Sequence, residues 1–246
     1  MIGSRVFVLG FFLMLTGPWL PAEQFEPVYK LKRLTDRVVL VQSGIEYRDQ
    51  VIAVNTGDGI VLIDSGKEST LAEQYRKMIV EEFGHDNFKF LINTHFHYDH
   101  TNGNQVFSDA TIIAHQSTPD RMRRFDGQRG RFLRGRRDLL AQWETEYSEV
   151  EKSSVRAQQL RDILSTVPIM LDDLEHRYQL TLPHITFSEQ MSFKVGDLNV
   201  HLYYYGAGGH TGDDILVHIP EEKLLATGDL FWPEGVQFSY RQGGDV

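Results

Sequence analysis

Four potential metal ligands lie within six residues of the sequence, and this cluster restricts the possible folds and functions more than any other feature. The segment THFHYDH, residues 94–100, directly follows an apolar stretch that predicts a buried strand. On a loop after a strand, His95 and His97 can reach one ion, and Asp99 and His100 can turn toward a second position. Imidazole and carboxylate ligands together suit zinc, iron or manganese. The segment therefore predicts a metal centre at the end of a strand.

Two later turns carry further candidate ligands. The segment GGHTGDD, residues 208–214, follows an aromatic stretch, and its glycines let the backbone bring His210 close to a site. A catalytic zinc site takes three protein ligands and a water, so His210 is expected to complete the first set of ligands. The segment TGDLF, residues 227–231, follows another strand-like run, and a carboxylate such as Asp229 can bridge two metal ions.

Two further residues are expected to support the ligands through hydrogen bonds. Asp64 ends the apolar run before Ser65-Gly66, and its expected role is to hydrogen-bond the metal loop and hold a histidine in place. Thr211, directly after His210, is assigned a similar supporting role. Asp99 is also the candidate catalytic residue, because a carboxylate there can orient the attacking water and shuttle its proton.

The spacing of apolar residues predicts alternating strands and helices around these segments. Runs of β-branched residues separated by turns predict strands over 38–41, 51–54 and 60–63. Residues 68–83 show helical spacing of apolar side chains, and Gly84 is the expected C-cap of that helix. Further strands are predicted over 88–93, 111–114, 191–195, 198–205, 215–219 and 223–226.

A helical, highly charged block interrupts the strands over about residues 116–183. Eight of the chain's 17 arginines lie between residues 121 and 137, against one acid, Asp126, and several glutamates follow. One interpretation is a basic cap that attracts an anionic substrate or partner. We favour the other, in which opposite charges on solvated helix faces pair with each other. The block is expected either to cover the active-site side or to mediate homo-oligomer formation.

The composition excludes several functional classes. The chain has no cysteine, which excludes disulfides, iron–sulfur clusters, cysteine metal ligands and cysteine nucleophiles. Its net charge of −9 argues against general nucleic-acid binding. Residues 1–22 contain one charge, Arg5, and an apolar run too short to span a bilayer, so they predict a secretory signal peptide. The mature chain, residues 23–246, is expected to be periplasmic or secreted and not attached to a membrane.

The three ligand-bearing segments, in this order, resemble those of the metallo-β-lactamase superfamily. The resemblance covers about residues 38–115 and 185–246, with the helical block as an insert. It implies an α/β fold, a four-layer αββα sandwich with the site at one edge of the two sheets. It also implies zinc as the cofactor, with two ions, although iron or manganese would suit the same ligands. The implied ligands are His95, His97 and His210 for the first ion and Asp99, His100 and Asp229 for the second.

Within this superfamily, the sequence resembles the glyoxalase II-like and broad secreted hydrolase branches, because it has an aspartate at position 229 and no cysteine. The β-lactamase subclasses with a cysteine ligand are excluded. In one respect the sequence departs from the family pattern, which has a further histidine ligand downstream of the bridging aspartate. None of the 17 residues after Asp229 is histidine. We expect the sequence to be a fragment that lacks the C-terminal end. The alternatives are a natural truncation with a weakened second metal site and a degenerate protein without catalysis.

Together these features predict a metal-dependent hydrolase that acts on a small-molecule substrate. Water activated by the metal would attack an ester, thioester, lactone or amide bond. Three other functions are compatible with the same residues: a β-lactamase, a mono-iron enzyme resembling sulfur dioxygenases, and a non-catalytic metal-binding protein.

Overall fold

The first of two β-sheets is mixed. The computed structural model describes residues 29–43 and 49–231, and the predicted signal peptide lies outside these residues. Four strands at one side of this sheet run antiparallel and the last four run parallel, sharing the central strand β4. In sheet order the strands are β1 (Tyr29–Arg33), β2 (Val38–Ser43), β3 (Asp49–Asn55), β4 (Ile60–Ile63), β5 (Phe88–Ile92), β6 (Thr111–His115) and β7 (Ile185–Phe187).

The second sheet is formed by four antiparallel strands, in the order β11-β10-β9-β8. These strands are β8 (Gln190–Val195), β9 (Leu198–Tyr204), β10 (Ile215–Ile219) and β11 (Leu224–Ala226). Buried and less buried residues alternate along them, as in β10, where Ile215, Val217 and Ile219 are buried and the residues between them are half-buried. This alternation is typical of a sheet with one face toward the core.

The main core lies between the two sheets. Val61, Ile63 and Ile92 of the first sheet pack in one cluster with residues of the second, including Leu202 and Val217, and all five are at most 1% exposed. Strand β4 is buried along its whole length, because its other face is also covered. A strand covered on both faces is expected to be a continuous apolar run rather than an alternating one, and the sequence there is IVLI.

Helix α1 (Ser69–Phe83) covers the other face of the first sheet. Leu71, Tyr75 and Ile79, spaced at one helical turn, are fully buried against that face. The helix ends at Gly84, which has the left-handed conformation that favours glycine, with φ of 76°. The predicted helix and its C-cap are therefore confirmed to within one residue.

Two long helices occupy the region of the predicted insert. They follow the short helix α2 (Tyr98–Thr101) in the chain and are α3 (Thr118–Glu149) and α4 (Val155–His176). They pack against each other through an apolar cluster that includes Leu133 and Met170. Some arginines of this region pair with acids of the same two helices, as Arg129 does with Asp126 at 2.8 Å. Such pairs agree with the interpretation of the basic block as charged helix faces that neutralise each other.

The insert is attached to the body of the fold at the start of α1. Asp173 of α4 is fully buried and accepts hydrogen bonds from the backbone N–H and the hydroxyl of Ser69, the first residue of α1. Arg177, just after α4, donates to Thr70 at 2.6 Å and to Glu73 at 2.5 Å. A side chain from the insert thus satisfies one of the free N–H groups at the N-terminus of α1.

The predicted fold class is confirmed as a mixed α/β structure with two sheets and helices. The short strand β7 was not predicted, because its three residues, ITF, follow a proline-containing segment and form no recognisable pattern. In the ranges that the structure describes, no helix combines the length and the apolar character needed to cross a membrane.

Candidate metal centre

The three predicted ligand segments converge in space. Residues 95–100 follow β5 of the first sheet, His210 lies between β9 and β10, and Asp229 follows β11. The N–H of Ile215, the first residue of β10, donates to the carbonyl of Thr94 at 2.9 Å. This hydrogen bond ties the loop after β5 to the second sheet, so each sheet contributes ligands to the same place.

One group of candidate ligands contains three histidines and a carboxylate. Ligand atoms of His95, His97, His210 and Asp229 all lie within 4.8 Å of one another. The Nε2 atom of His210 is 2.9 Å from Nδ1 of His97 and 3.4 Å from Oδ2 of Asp229. The ring centre of His95 is 4.7 Å from that of His97 and 5.1 Å from that of His210. Three converging imidazoles form the donor set of many catalytic zinc sites.

A second group shares the same carboxylate. Asp99, His100 and Asp229 also have ligand atoms within 4.8 Å of one another. The Nε2 atom of His100 is 3.4 Å from Oδ1 of Asp229 and 3.8 Å from Oδ2 of Asp99. The two oxygens of Asp229 therefore face different histidines, Oδ2 toward His210 and Oδ1 toward His100. A carboxylate in this position can bridge two ions.

His95 shows most clearly that the site suits a metal. Its side chain is fully buried, and its Nε2 atom has no hydrogen-bond partner among the described residues. An unpaired polar atom in the interior costs about 1–3 kcal/mol, which a ligand to that atom would offset. Burial lowers the pKa of His95 well below its usual value, and the neighbouring His100 and His97 act in the same direction. His95 is therefore a neutral imidazole, the form that binds metal ions.

The neighbouring ligands are in suitable protonation states as well. Burial lowers the pKa of His97 to about 4, although the charge of Asp99 partly opposes this effect. Burial raises the pKa of Asp229, but the hydrogen bond from His100 and the charges of the histidines outweigh it, so the pKa lies below its usual range. At neutral pH, His95 and His97 are thus unprotonated and Asp229 is ionised.

Asp64 and Thr94 hold His100 in position. The Nδ1 atom of His100 is 2.8 Å from Oδ2 of Asp64, whose oxygens also accept from the N–H of Thr94 at 2.7 Å and from its hydroxyl at 2.8 Å. Burial lowers the pKa of His100, but the carboxylates of Asp64 and Asp99 outweigh burial and raise the pKa well above its usual value. A proton held on Nδ1 by Asp64 leaves Nε2 directed at Asp229 and Asp99.

Two glycines allow the close approach of these loops. A Cβ atom on Gly103 would lie 2.1 Å from the carbonyl oxygen of Ser65. Only glycine therefore fits where the segment after the histidines meets the chain that follows β4. Gly228 has φ of 50°, and a Cβ atom there would lie 2.7 Å from Oγ1 of Thr94. A side chain at position 228 would push Asp229 away from the loop that bears the histidines.

A fully buried carboxylate, Asp213, connects the His210 loop to the insert. It accepts hydrogen bonds from the hydroxyls of Thr118 at 2.7 Å and Thr211 at 2.8 Å, and it lies 3.7 Å from Nε of Arg121. Burial raises the pKa of Asp213 to about 6, although these hydrogen bonds and Arg121 oppose the rise. Asp213 therefore accepts hydrogen bonds both from Thr211 of the His210 loop and from Thr118 of α3.

Two of these supporting residues were not among the predicted site residues. Thr94 directly precedes the first histidine, and its position at the end of the predicted strand could have indicated a supporting role. Asp213 belongs to the acidic pair after the glycine turn, but its partner Thr118 lies on the insert. No local pattern indicates that contact, because it depends on how the insert packs against the sheets.

The comparisons with known proteins agree with this fold. The model of the metallo-β-lactamase superfamily matches residues 50–245. One similar solved structure is a metallo-β-lactamase from Pontibacter korlensis, 20% identical, with a TM-score of 0.51 over 80% of this chain and 70% of that chain. Another is the protein TMB-1, 19% identical, with a TM-score of 0.55 over 88% of this chain and 78% of that one. No curated protein matches significantly. The chain belongs to the metallo-β-lactamase superfamily.

Proposed function

We propose that the protein is a zinc-dependent hydrolase that binds two ions and cleaves an ester, thioester, lactone or amide bond of a small molecule. The observation that carries the proposal is the buried, unpaired Nε2 atom of His95 next to Asp229, whose two oxygens face two separate groups of ligands. A site without metal would leave that nitrogen unsatisfied in the interior.

The proposed ligands follow from the two groups. Those of the first ion are His95, His97 and His210, those of the second are Asp99 and His100, and Asp229 contacts both. The donors are nitrogen and oxygen, which suit zinc, iron and manganese. We choose zinc because three imidazoles that leave one position for water are a common catalytic zinc set.

Such an ion, when bound, lowers the pKa of water to near 7 and polarises the oxygen of a carbonyl group. Residues of the chain transfer the proton and keep the ligands oriented. The side chain of Asp99 is 41% exposed, against 13% for His100 and 18% for Asp229, so it faces the side from which substrate arrives. Asp99 is therefore the catalytic residue that accepts a proton from the attacking water and passes it to the leaving group. Asp64 keeps His100 oriented throughout, because their hydrogen bond is already formed.

A panel of hydrolase substrates tests the proposal. The full-length mature protein, loaded with zinc, is assayed with a chromogenic ester, a lactone, a thioester and a chromogenic cephalosporin. His97→Ala removes one ligand, and we expect kcat/KM for any cleaved substrate to fall by more than about a hundredfold. The matched control is His176→Ala, because His176 lies at the end of α4 with a side chain 63% exposed. The control is expected to retain full activity.

The same assay separates the other functions. Cleavage of the cephalosporin alone would identify a β-lactamase within the proposed class of hydrolases. Iron as the only metal in the purified protein before zinc is added, with no hydrolysis of any substrate, would contradict the hydrolase proposal and favour an oxygenase. Full activity of the His97→Ala variant would show that the assigned site is not the catalytic one.

A further inference from the structure

A small cavity lies where the insert meets the metal-binding loop. Its volume is about 60 Å³, and it is bounded by α3, α4, the chain just after β4 and helix α2 (Tyr98–Thr101). None of the six candidate metal ligands lines it. The cavity is therefore a separate feature of the fold, although Tyr98 on its wall lies between His97 and Asp99 in the chain.

One side of the cavity is apolar. Ile163, Val167 and Met170 lie on one face of α4, at spacings of four and three residues, and each is at most 7% exposed. Trp143 of α3 completes this wall. A surface of this kind is suited to the hydrocarbon part of a ligand.

The other residues that line the cavity are polar or basic. They are Tyr98, Arg136 and Lys67, and Lys67 is only 4% exposed. Arg136 donates to the Tyr98 hydroxyl at 3.3 Å, and its guanidinium carbon lies 5.8 Å from the centre of the Tyr98 ring and 5.1 Å from that of Phe132. These contacts hold the guanidinium group beside the two aromatic rings at the cavity.

Arg136 differs from the other half-buried arginines of α3 in its partners. Arg121 lies 3.7 Å from Asp213, and Arg129 lies 2.8 Å from Asp126. Arg136 forms no ion pair with any carboxylate in residues 29–43 and 49–231. A half-buried guanidinium group whose hydrogen-bonding edge has only a hydroxyl partner is a good receptor for a carboxylate.

We propose that this cavity binds a small organic carboxylate with a short hydrocarbon tail. The carboxylate pairs with Arg136 and the Tyr98 hydroxyl, and the tail lies against Val167 and Met170. A volume of about 60 Å³ equals that of roughly two water molecules in the liquid, so a tail of about two carbons fits. This site does not depend on the proposed hydrolase activity, because neither Arg136 nor Val167 belongs to the metal centre.

Calorimetric titration of the zinc-loaded full-length protein with propionate tests the proposal, with propionamide as the uncharged probe of equal shape. We expect propionate to bind and propionamide to bind at least tenfold more weakly. Two variants locate the binding. Arg136→Met removes the charge and Val167→Phe fills the cavity, and each is expected to weaken propionate binding at least tenfold. The control is Arg134→Met, which changes an exposed arginine of the same helix and is expected to leave binding unchanged.

Zinc content and thermal unfolding show whether each variant is folded. If one of the two cavity variants does not fold, the other alone is sufficient for the test. Absence of propionate binding to the wild type would overturn the proposal. So would binding that persists unchanged in the cavity variants, because propionate would then occupy the metal centre or another place. Equal losses in Arg136→Met and Arg134→Met would attribute binding to the general charge of α3, and equal affinity for propionamide would exclude recognition of the anion.

Discussion

At the scale of single residues, the candidate metal centre depends on carboxylates that are not themselves proposed ligands. Asp64 accepts three hydrogen bonds, two from Thr94 and one from His100. It does so from a left-handed backbone conformation, with φ of 60°, which aspartate and asparagine adopt more readily than most residues. Asparagine is therefore a suitable replacement, since it keeps the shape and the backbone conformation but removes the charge and replaces one acceptor oxygen with an NH2 group.

We expect Asp64→Asn to lower the affinity for zinc at the second position by about 10–100-fold, because His100 loses the acceptor that fixes its proton on Nδ1. Competition with a chromogenic chelator measures this affinity. The matched control is Asp58→Asn, in an exposed turn where the carboxylate lies 3.7 Å from Lys89. An unchanged zinc affinity of Asp64→Asn would show that the hydrogen bond to His100 plays no part in metal binding.

The burial of Asp213 predicts that the stability of the folded protein depends on pH. Its pKa in the folded protein is about 6, above its value of 3.8 in the unfolded chain, so the folded state retains the proton over this interval. Its contribution to stability is therefore complete below pH of about 4 and is lost as the pH rises through about 6. A pKa difference of this size corresponds to about 3 kcal/mol.

The comparison of wild type with Asp213→Asn isolates this effect. Both proteins are unfolded with urea in the presence of a chelator, so that loss of metal at low pH does not contribute. We expect the stability of the wild type relative to Asp213→Asn to fall between pH 4 and pH 6 and then to level off. A difference that is independent of pH, or that rises with pH, would show that Asp213 does not titrate as its burial implies.

At the scale of secondary-structure elements, helix α1 depends on a residue from a distant helix. The spacing of Leu71, Tyr75 and Ile79 and the glycine at position 84 predict this helix from sequence to within one residue. Its N-terminal cap could not be predicted in the same way. Glu68, at the N-cap position, provides no side-chain cap hydrogen bond, and Asp173 of α4 takes that role. Contacts between elements far apart in the chain leave no local pattern in the sequence.

We expect Asp173→Ala to lower the free energy of unfolding by about 1–2 kcal/mol, because the N–H and hydroxyl of Ser69 lose their buried acceptor. Chemical denaturation measures this change. The neighbouring Asp172→Ala is the control, since the side chain of Asp172 is 72% exposed, and its effect should stay within about 0.5 kcal/mol. Equal effects of the two variants would mean that the contact between α4 and α1 contributes no stability.

At the scale of the whole molecule, the sequence was most informative where chemistry requires particular residues in short segments. The segment from His95 to His100 indicated a metal centre, and the apolar strand before it placed that centre at the end of β5. The sequence could not show that ligand atoms of His210 and Asp229 lie within 4.8 Å of those of His95 and His97, because this distance results from the packing of two sheets. The family resemblance implied that arrangement.

The insert is the part of the molecule that the sequence described least well. Its helical character and the pairing of its charges could be predicted from composition, but its attachment to the body could not. Asp173 and Asp213 each join the insert to the rest of the fold through buried hydrogen bonds, one at α1 and one at the His210 loop. Both contacts join residues that are widely separated in sequence, and only the folded structure brings them together.

The most direct test of the proposed metal centre is the zinc content of the purified full-length mature protein, determined by elemental analysis together with that of His97→Ala and His176→Ala. If His95, His97 and His210 hold one ion and Asp229 links it to a second, the wild type and His176→Ala contain about two zinc ions per chain. The His97→Ala variant then contains close to none. A His97→Ala variant that is folded and retains the zinc content of the wild type would contradict the assignment.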